Sequence, residues 1–119
     1  MTTEQLSTEV EDLKAAYEAV ATAVAGDGRT LIRIAAAMLP KGCNPAMSPV
    51  LLIPQPGRPL IYVKPGITVP NGVVPRSTSV VMIEGEAWLQ FSYAFPWDED
   101  THTLLQFVQG SLRRFEKNE

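Results

Sequence analysis

Nine of the ten prolines in this 119-residue chain fall between Pro40 and Pro75. Proline fixes φ and has no N–H to give to a helix interior or a sheet ladder. Each one therefore marks a strand end, an edge or a connection. This spacing argues against a regular helix between Gly42 and Ser77. It leaves short β-rich runs there, "PVLLIP" and "RPLIYV", bounded by prolines.

Helical patterns flank that region. Leu6, Val10, Leu13, Tyr17, Val20 and Val24 recur at steps of four and three, the apolar stripe of an amphipathic helix. Thr2 and Gln5 suit a capping box, and Gly26 and Gly28 read as the stop. The stripe lasts about three heptads, short for a coiled-coil seam, so a helix laid on a sheet is the better fit. "RTLIRIAAAM" then reads as a strand, with Ile32, Ile34 and Ala36 on one face and Leu31, Arg33 and Ala35 on the other. "TSVVMIEGEAWLQFSYAF" reads as a hairpin turning at Glu84 and Gly85. In its second strand Leu89, Phe91, Tyr93 and Phe95 share the face assigned to the core. Trp88, Gln90, Ser92 and Ala94 share the other. A last helix follows "PWDED", capped by Asp98, Asp100 or Thr101, with Leu104, Val108, Leu112 and Phe115 as its stripe. Arg113, Arg114 and Lys117 sit at its negative end. The expected fold is α+β over residues 1–119 as one domain: an N-terminal helix, an antiparallel β-meander with a hairpin, and a C-terminal helix packed on the sheet.

Composition narrows the function classes. Hydrophobic residues make up 45% and charged residues 19%, the balance of a folded soluble domain. A net charge of −3 argues against nucleic acid as a partner. No apolar run is long enough for a membrane span, and the acidic start "MTTEQLSTEVEDLK" lacks the apolar core of a signal peptide. Cys43 stands alone, so no internal disulfide forms, which suits a cytoplasmic location. One cysteine and one histidine, His102, do not make a zinc site, and no cofactor is called for. A Cys43–His102 nucleophile pair is formally open, but a loop thiol and a helix-end imidazole describe the two residues more simply. "AGDGRT" lacks the Lys-Ser/Thr ending of a phosphate loop. Asp98, Glu99 and Asp100 are consecutive, so capping suits them better than acid–base pairing. These residues on their own describe a non-catalytic protein.

The stretch "RPLIYVKPGITVPN" resembles the ubiquitin-conjugating enzymes. In that family a proline-rich turn opens a strand, and a His-Pro-Asn motif follows eleven residues after the turn's last proline. Pro59 and Pro70 have that spacing, and Val69, Pro70 and Asn71 stand where the motif stands. "PVLLIPQPGRP" is similar to the strand leading into that turn. "GEAWLQFSYAFPWDEDTHTLLQFVQGSL" is similar to the family's segment of glycine, catalytic cysteine, leucine, tryptophan and helix, with Gly85, Leu89, Trp97 and the helix over residues 101–112 matching in kind. The resemblance implies that residues 60–63 pair with residues 50–53 and that residues 65–77 hold no helix. It implies no thioester chemistry, because Trp88 falls at the cysteine position and Val69 replaces the motif histidine. Asn71 is left as a loop-stabilising amide in a vestigial motif. The segment between Asn71 and Trp88 is longer than the family's and reads as containing a strand. Non-catalytic relatives of that fold bind ubiquitin-like or other partner proteins.

A second resemblance uses the same element order. Helix, antiparallel sheet and helix on a small acidic chain is similar to the type III secretion chaperones, which bind secreted effectors. The hairpin suits them, whereas the prolines after Val63 suit the first family better. Either resemblance implies a protein partner: a ubiquitin-like protein, a component of a conjugation system, or an effector. A homodimer is left open. For the working surface, Trp88 is either an exposed anchor beside Gln90, Ser92 and Tyr62 or plain core.

Overall fold

The computed structural model describes residues 3–55, 59–68, 78–91 and 101–116. Helix α1 (Thr3–Ala16) leads into β1 (Val20–Val24), β2 (Thr30–Met38), β3 (Met47–Ile53), β4 (Leu60–Val63), β5 (Thr78–Ile83) and β6 (Glu86–Phe91). Helix α2 (Leu104–Leu112) and a 3₁₀ turn (Arg113–Glu116) follow. The six strands form one antiparallel sheet in the order β1-β2-β3-β4-β6-β5. The protein is an α+β domain, with a four-strand meander extended by a hairpin whose second strand lies inside its first.

The first helix is shorter than its apolar stripe suggests. It ends at Ala16, and Ala19 takes a positive φ of 53° where the chain turns into β1. Val20 and Val24 therefore belong to a strand, and Val24 is 73% exposed. Val20, Thr22 and Val24 are β-branched at every second position, and such side chains are at ease on a pleated surface and crowded in a helix. Gly26 and Gly28 lie in the β1–β2 turn rather than at a helix end. There the Asp27 carboxylate accepts the Arg29 N–H at 3.0 Å and its Nε–H at 2.7 Å, an Asx-type turn.

The β2 alternation also breaks. Its register against β3 shifts between Ile34 and Ala37, so Ala37 is fully buried while Ala36, expected inside, is exposed. An extra residue in one strand moves every later side chain to the opposite face.

Elsewhere the sequence pattern and the structure coincide. Residues 60–63 pair with residues 50–53, Val50 opposite Val63 and Ile53 opposite Leu60. Residues 64–68 form a turn without helix, and the remainder of the stretch expected to lack one, residues 69–77, lies outside the described residues. The turn is held to the β2–β3 connection by a two-bond bridge, Asn44 N–H to Thr68 O at 2.9 Å and Thr68 N–H to Asn44 O at 2.8 Å. The β5–β6 hairpin turns at Glu84 (φ 49°) and Gly85 (φ 78°), the two-residue geometry whose twist matches paired strands. An added Cβ at Gly85 would meet nothing within 4 Å, so the positive φ alone is what favours glycine there.

Both helices cover one face of the sheet. Leu13, Ile32, Ile34, Val50, Leu52 and Val63 are fully buried there, with Leu104, Phe107, Val108 and Phe115 descending from the C-terminal helical segment. Each such side chain contributes about 1.5–3 kcal/mol relative to exposure. The cap of α2 is Thr103: its hydroxyl accepts the Gln106 N–H at 3.2 Å, and the Gln106 side chain accepts the Thr103 N–H at 2.9 Å. Thr101 is not the cap, while Thr2, Asp98, Glu99, Asp100 and Lys117 lie outside the described residues. So do Tyr93, Phe95 and Trp97, and the side chains of Phe91 and Arg114.

A bond between helices fixes their relative position. The Glu9 carboxylate accepts the Leu104 N–H at 3.0 Å, placing an acid from α1 at the positive end of α2. Burial raises the Glu9 pKa, the Leu104 bond opposes that rise, and Asp12 adds to it. Because the folded value lies above the unfolded one, this group's contribution is complete below the ordinary carboxyl value of 4.5. It is lost as pH rises through the folded value. Glu9→Gln keeps an acceptor for Leu104 without a charge to desolvate. It is expected to match the parent within about 0.5 kcal/mol at pH 7 and to lose less stability between pH 4 and pH 7. Denaturant titration at the two pH values checks this, and an unchanged pH slope would contradict it.

Among the described residues no helix is long and apolar enough to cross a membrane.

Candidate functional site

The second face of the sheet carries no helix among the described residues, yet it is not simply a wet surface. Antiparallel partners share a face, so the pairs Ala21–Arg33, Arg33–Leu51, Leu51–Tyr62 and Tyr62–Gln90 run across it as one row. Leu31, Leu51, Ile53, Tyr62 and Trp88 form a second buried cluster on this side, flanked by Leu60, Val81 and Ile83.

Trp88 sits at the centre of that cluster and is 2% exposed. The reading of Trp88 as an exposed anchor therefore gives way to the core reading. Sheet alternation does separate Trp88 from Leu89, but both faces are covered, and Leu89 is buried as well. The cover over Trp88 is polar. The Lys64 ammonium lies 4.4 Å from the Trp88 ring centroid and the Arg33 guanidinium 5.4 Å, both within cation–π range. Glu86, two residues from Trp88 and so on the same face, holds both cations. Its Oε1 is 2.6 Å from Arg33 Nη2 and 3.0 Å from Lys64 Nζ, and its Oε2 is 2.9 Å from Arg33 Nη2. The hydrogen bonds from Arg33 and Lys64 hold the Glu86 carboxyl below its ordinary pKa. Two cations on one carboxylate leave the clamp with an excess positive charge.

Tyr62 is 5% exposed and Gln90 half-buried. Burial pushes the Tyr62 hydroxyl pKa up, with Arg29 pulling weakly the other way. Tyr62 and Gln90 share a face with Trp88, as their alternation predicts. Ser92, and the motif residues Val69, Pro70 and Asn71, lie outside the described residues.

The sheet curls around this cluster. The Gly26 N–H in the β1–β2 turn donates to Glu84 Oε1 at the hairpin tip, 3.0 Å away. Those turns belong to opposite ends of the strand order, so they meet only because the sheet bends into an incomplete cylinder with this face inside. Closure is partial, and a cavity of about 300 Å³ remains where β1 and the hairpin fail to join. Residues 21–24 of β1 line one side and Ile83 and Glu84 the other. Leu31, Leu51 and Trp88 contribute apolar lining, and Arg33 and Glu86 the charge. Ala21 and Ala23 are too small to fill the space.

Cys43 belongs to the cluster beneath the C-terminal helical segment. It is buried, its thiol lies 3.8 Å from the Phe115 carbonyl, and burial raises its pKa. A protonated thiol is a poor nucleophile. Its hydrogen bond goes to Phe115, not to His102. Among the described residues no group of three or more His, Cys, Asp or Glu side chains is placed to hold a metal ion.

Sequence reasoning missed the cavity because it missed β1. The period-two run Val20, Thr22, Val24 was the available signal, and the alanines between them mark where the space lies. No family model, curated protein or solved structure matches the chain.

Proposed function

We propose that this chain is a non-catalytic protein-interaction domain built like the ubiquitin-conjugating enzymes, binding its partner at the unclosed side of the sheet. The observation that carries the reading is the cavity between β1 and the hairpin tip, a concave, mostly apolar site with a few placed charges. What favours the resemblance is the element order: an N-terminal helix, then a meander in which β3 and β4 pair as the resemblance implies. Trp88, at the family's cysteine position, is built into a core beneath Arg33 and Lys64. A ubiquitin-like protein or another component of a conjugation system is the partner class this implies.

Two arms of one experiment test it. A photo-crosslinking amino acid at position 23 is expected to trap discrete adducts in the source cell, while the same group at Glu11, exposed on α1, traps none. In parallel, incubation with an activating enzyme and a ubiquitin-like protein is expected to leave no reducible adduct. A Cys43-dependent thioester, or equal trapping at both positions, would overturn the proposal.

A further inference from the structure

The pairing of β1 tells which of its backbone groups are spent. Ala25 N–H donates to Arg29 O at 2.8 Å, and Ala35 N–H to Ala19 O at 3.3 Å. The register between them is regular, Val20 opposite Ile34 through Val24 opposite Thr30. In an antiparallel ladder, bonded and non-bonded pairs alternate. Ala19, Ala21, Ala23 and Ala25 therefore bond to β2, whereas Val20, Thr22 and Val24 turn their N–H and C=O groups away from it. β1 ends the sheet among the described residues, so those groups face its outer edge. The strand has no charge, no proline and no bulge, the usual protections of a free edge. Four consecutive residues of β1 line the cavity, as an edge does when its backbone as well as its side chains borders the space.

We infer that the cavity is the seat of an added β-strand: an extended segment of another protein pairs antiparallel with β1. Its sequence reads apolar, any residue, acidic, with the first and third side chains turned into the cavity and the middle one away from it. This names the partner class for the proposed interaction site and rests on that reading. An added strand completes the sheet on the side where it fails to close, the mode in which main-chain bonds give affinity and alternate side chains give specificity. The residue opposite Ala23 points toward Leu31, Ile83 and Trp88 and is apolar. The residue opposite Ala21 lies one strand away from Arg33, which is paired with Ala21. Only a methyl group stands between them. Arg33 is half exposed, with only Nη2 committed to Glu86, and the clamp it belongs to has positive charge in excess. A carboxylate is its complement. Glu84, at the other end of the groove, is held by the Gly26 N–H, so the acid belongs at the Ala21 end.

The probe is a phage-displayed library of random nonapeptides panned on the full chain. Enrichment of apolar-x-acidic segments is the expected result. Synthetic copies should bind Thr22→Pro at least tenfold more weakly, since proline removes an outward N–H while the β1–β2 bonds of Ala21 and Ala23 survive. Ala23→Phe fills the cavity without touching the backbone and should weaken binding similarly, so the result does not hang on one variant folding. Arg33→Gln should abolish the preference for the acid over a lysine in its place. Enriched peptides that bind Thr22→Pro and Ala23→Phe as tightly as the parent would overturn strand addition and leave a peptide-binding domain with its site elsewhere. A library that yields nothing would overturn the interaction reading with it.

Discussion

Trp88→Ala is expected to melt roughly 10–20 °C below the parent chain. The ring is 2% exposed and forms the centre of the cluster on the concave face. Truncating a buried tryptophan costs about 3–5 kcal/mol, because the lost transfer energy is joined by the cost of the space left behind. In a chain of this length 1 kcal/mol moves the midpoint by about 4 °C. The surrounding cover makes collapse of the hole difficult. Arg33 and Lys64 lie over the ring and Glu86 ties them together, so removing the ring leaves a charged lid over an empty apolar pit. A calorimetric midpoint within about 3 °C of the parent, little more than a surface change produces, would show that Trp88 is not core.

Phe107→Ala should cost as much, for reasons that lie on the other face. Phe107 is fully buried between α2 and the sheet, in the cluster that also holds Leu13 and Ile34. Aromatic truncations at such sites cost about 3–5 kcal/mol. Trp88 and Phe107 belong to separate clusters on opposite faces, and substitutions without shared neighbours add. The double variant should therefore lose about 6–10 kcal/mol. A chain of this size has a total stability of roughly 6–18 kcal/mol, so the double variant should lose between a third and all of it and unfold at lower denaturant than either single one. Denaturant titration followed by circular dichroism reads this directly. A double variant no worse than either single one would mean that the two faces form one coupled core.

The parts of the fold legible in the sequence were those set by local rules. Proline spacing told against helix in the middle, and residues 42–55 and 59–68 hold none; Glu84-Gly85 announced the hairpin, and the spacing of Leu104, Val108 and Leu112 announced the last helix. The failures came where two local signals overlapped or where burial depended on distant contacts. Val20 and Val24 fit the tail of a helical stripe as well as they fit a strand, and the turn at Ala19 that decides between them has no glycine to mark it. The shift that buries Ala37 instead of Ala36 falls in three consecutive alanines, where no change of polarity records it. Trp88 is a subtler case. Its face was assigned correctly, but its burial follows from curvature of the whole sheet and from Arg33 on β2 and Lys64 just past β4, which no spacing within β6 encodes. The cavity is a product of that same curvature, so its lining residues were scattered through the sequence with no common motif.

The strand order has a consequence for how the chain must assemble. β6 lies between β4 and β5, although β5 precedes it in sequence. The meander through Val63 can form from local contacts, but β4 then waits with an open edge until residues 86–91 arrive. β5 has no place in the sheet without β6, so the hairpin has to close on itself and dock as a unit. Until it docks, the apolar strand Leu60–Val63 is a template for whatever extended chain is nearby. During synthesis that period lasts while some thirty residues emerge, about 2–6 seconds at ordinary elongation rates. Substitutions that slow hairpin closure, at Gly85 above all, would lower the yield of folded protein by lengthening that exposure, even where the finished fold tolerates them.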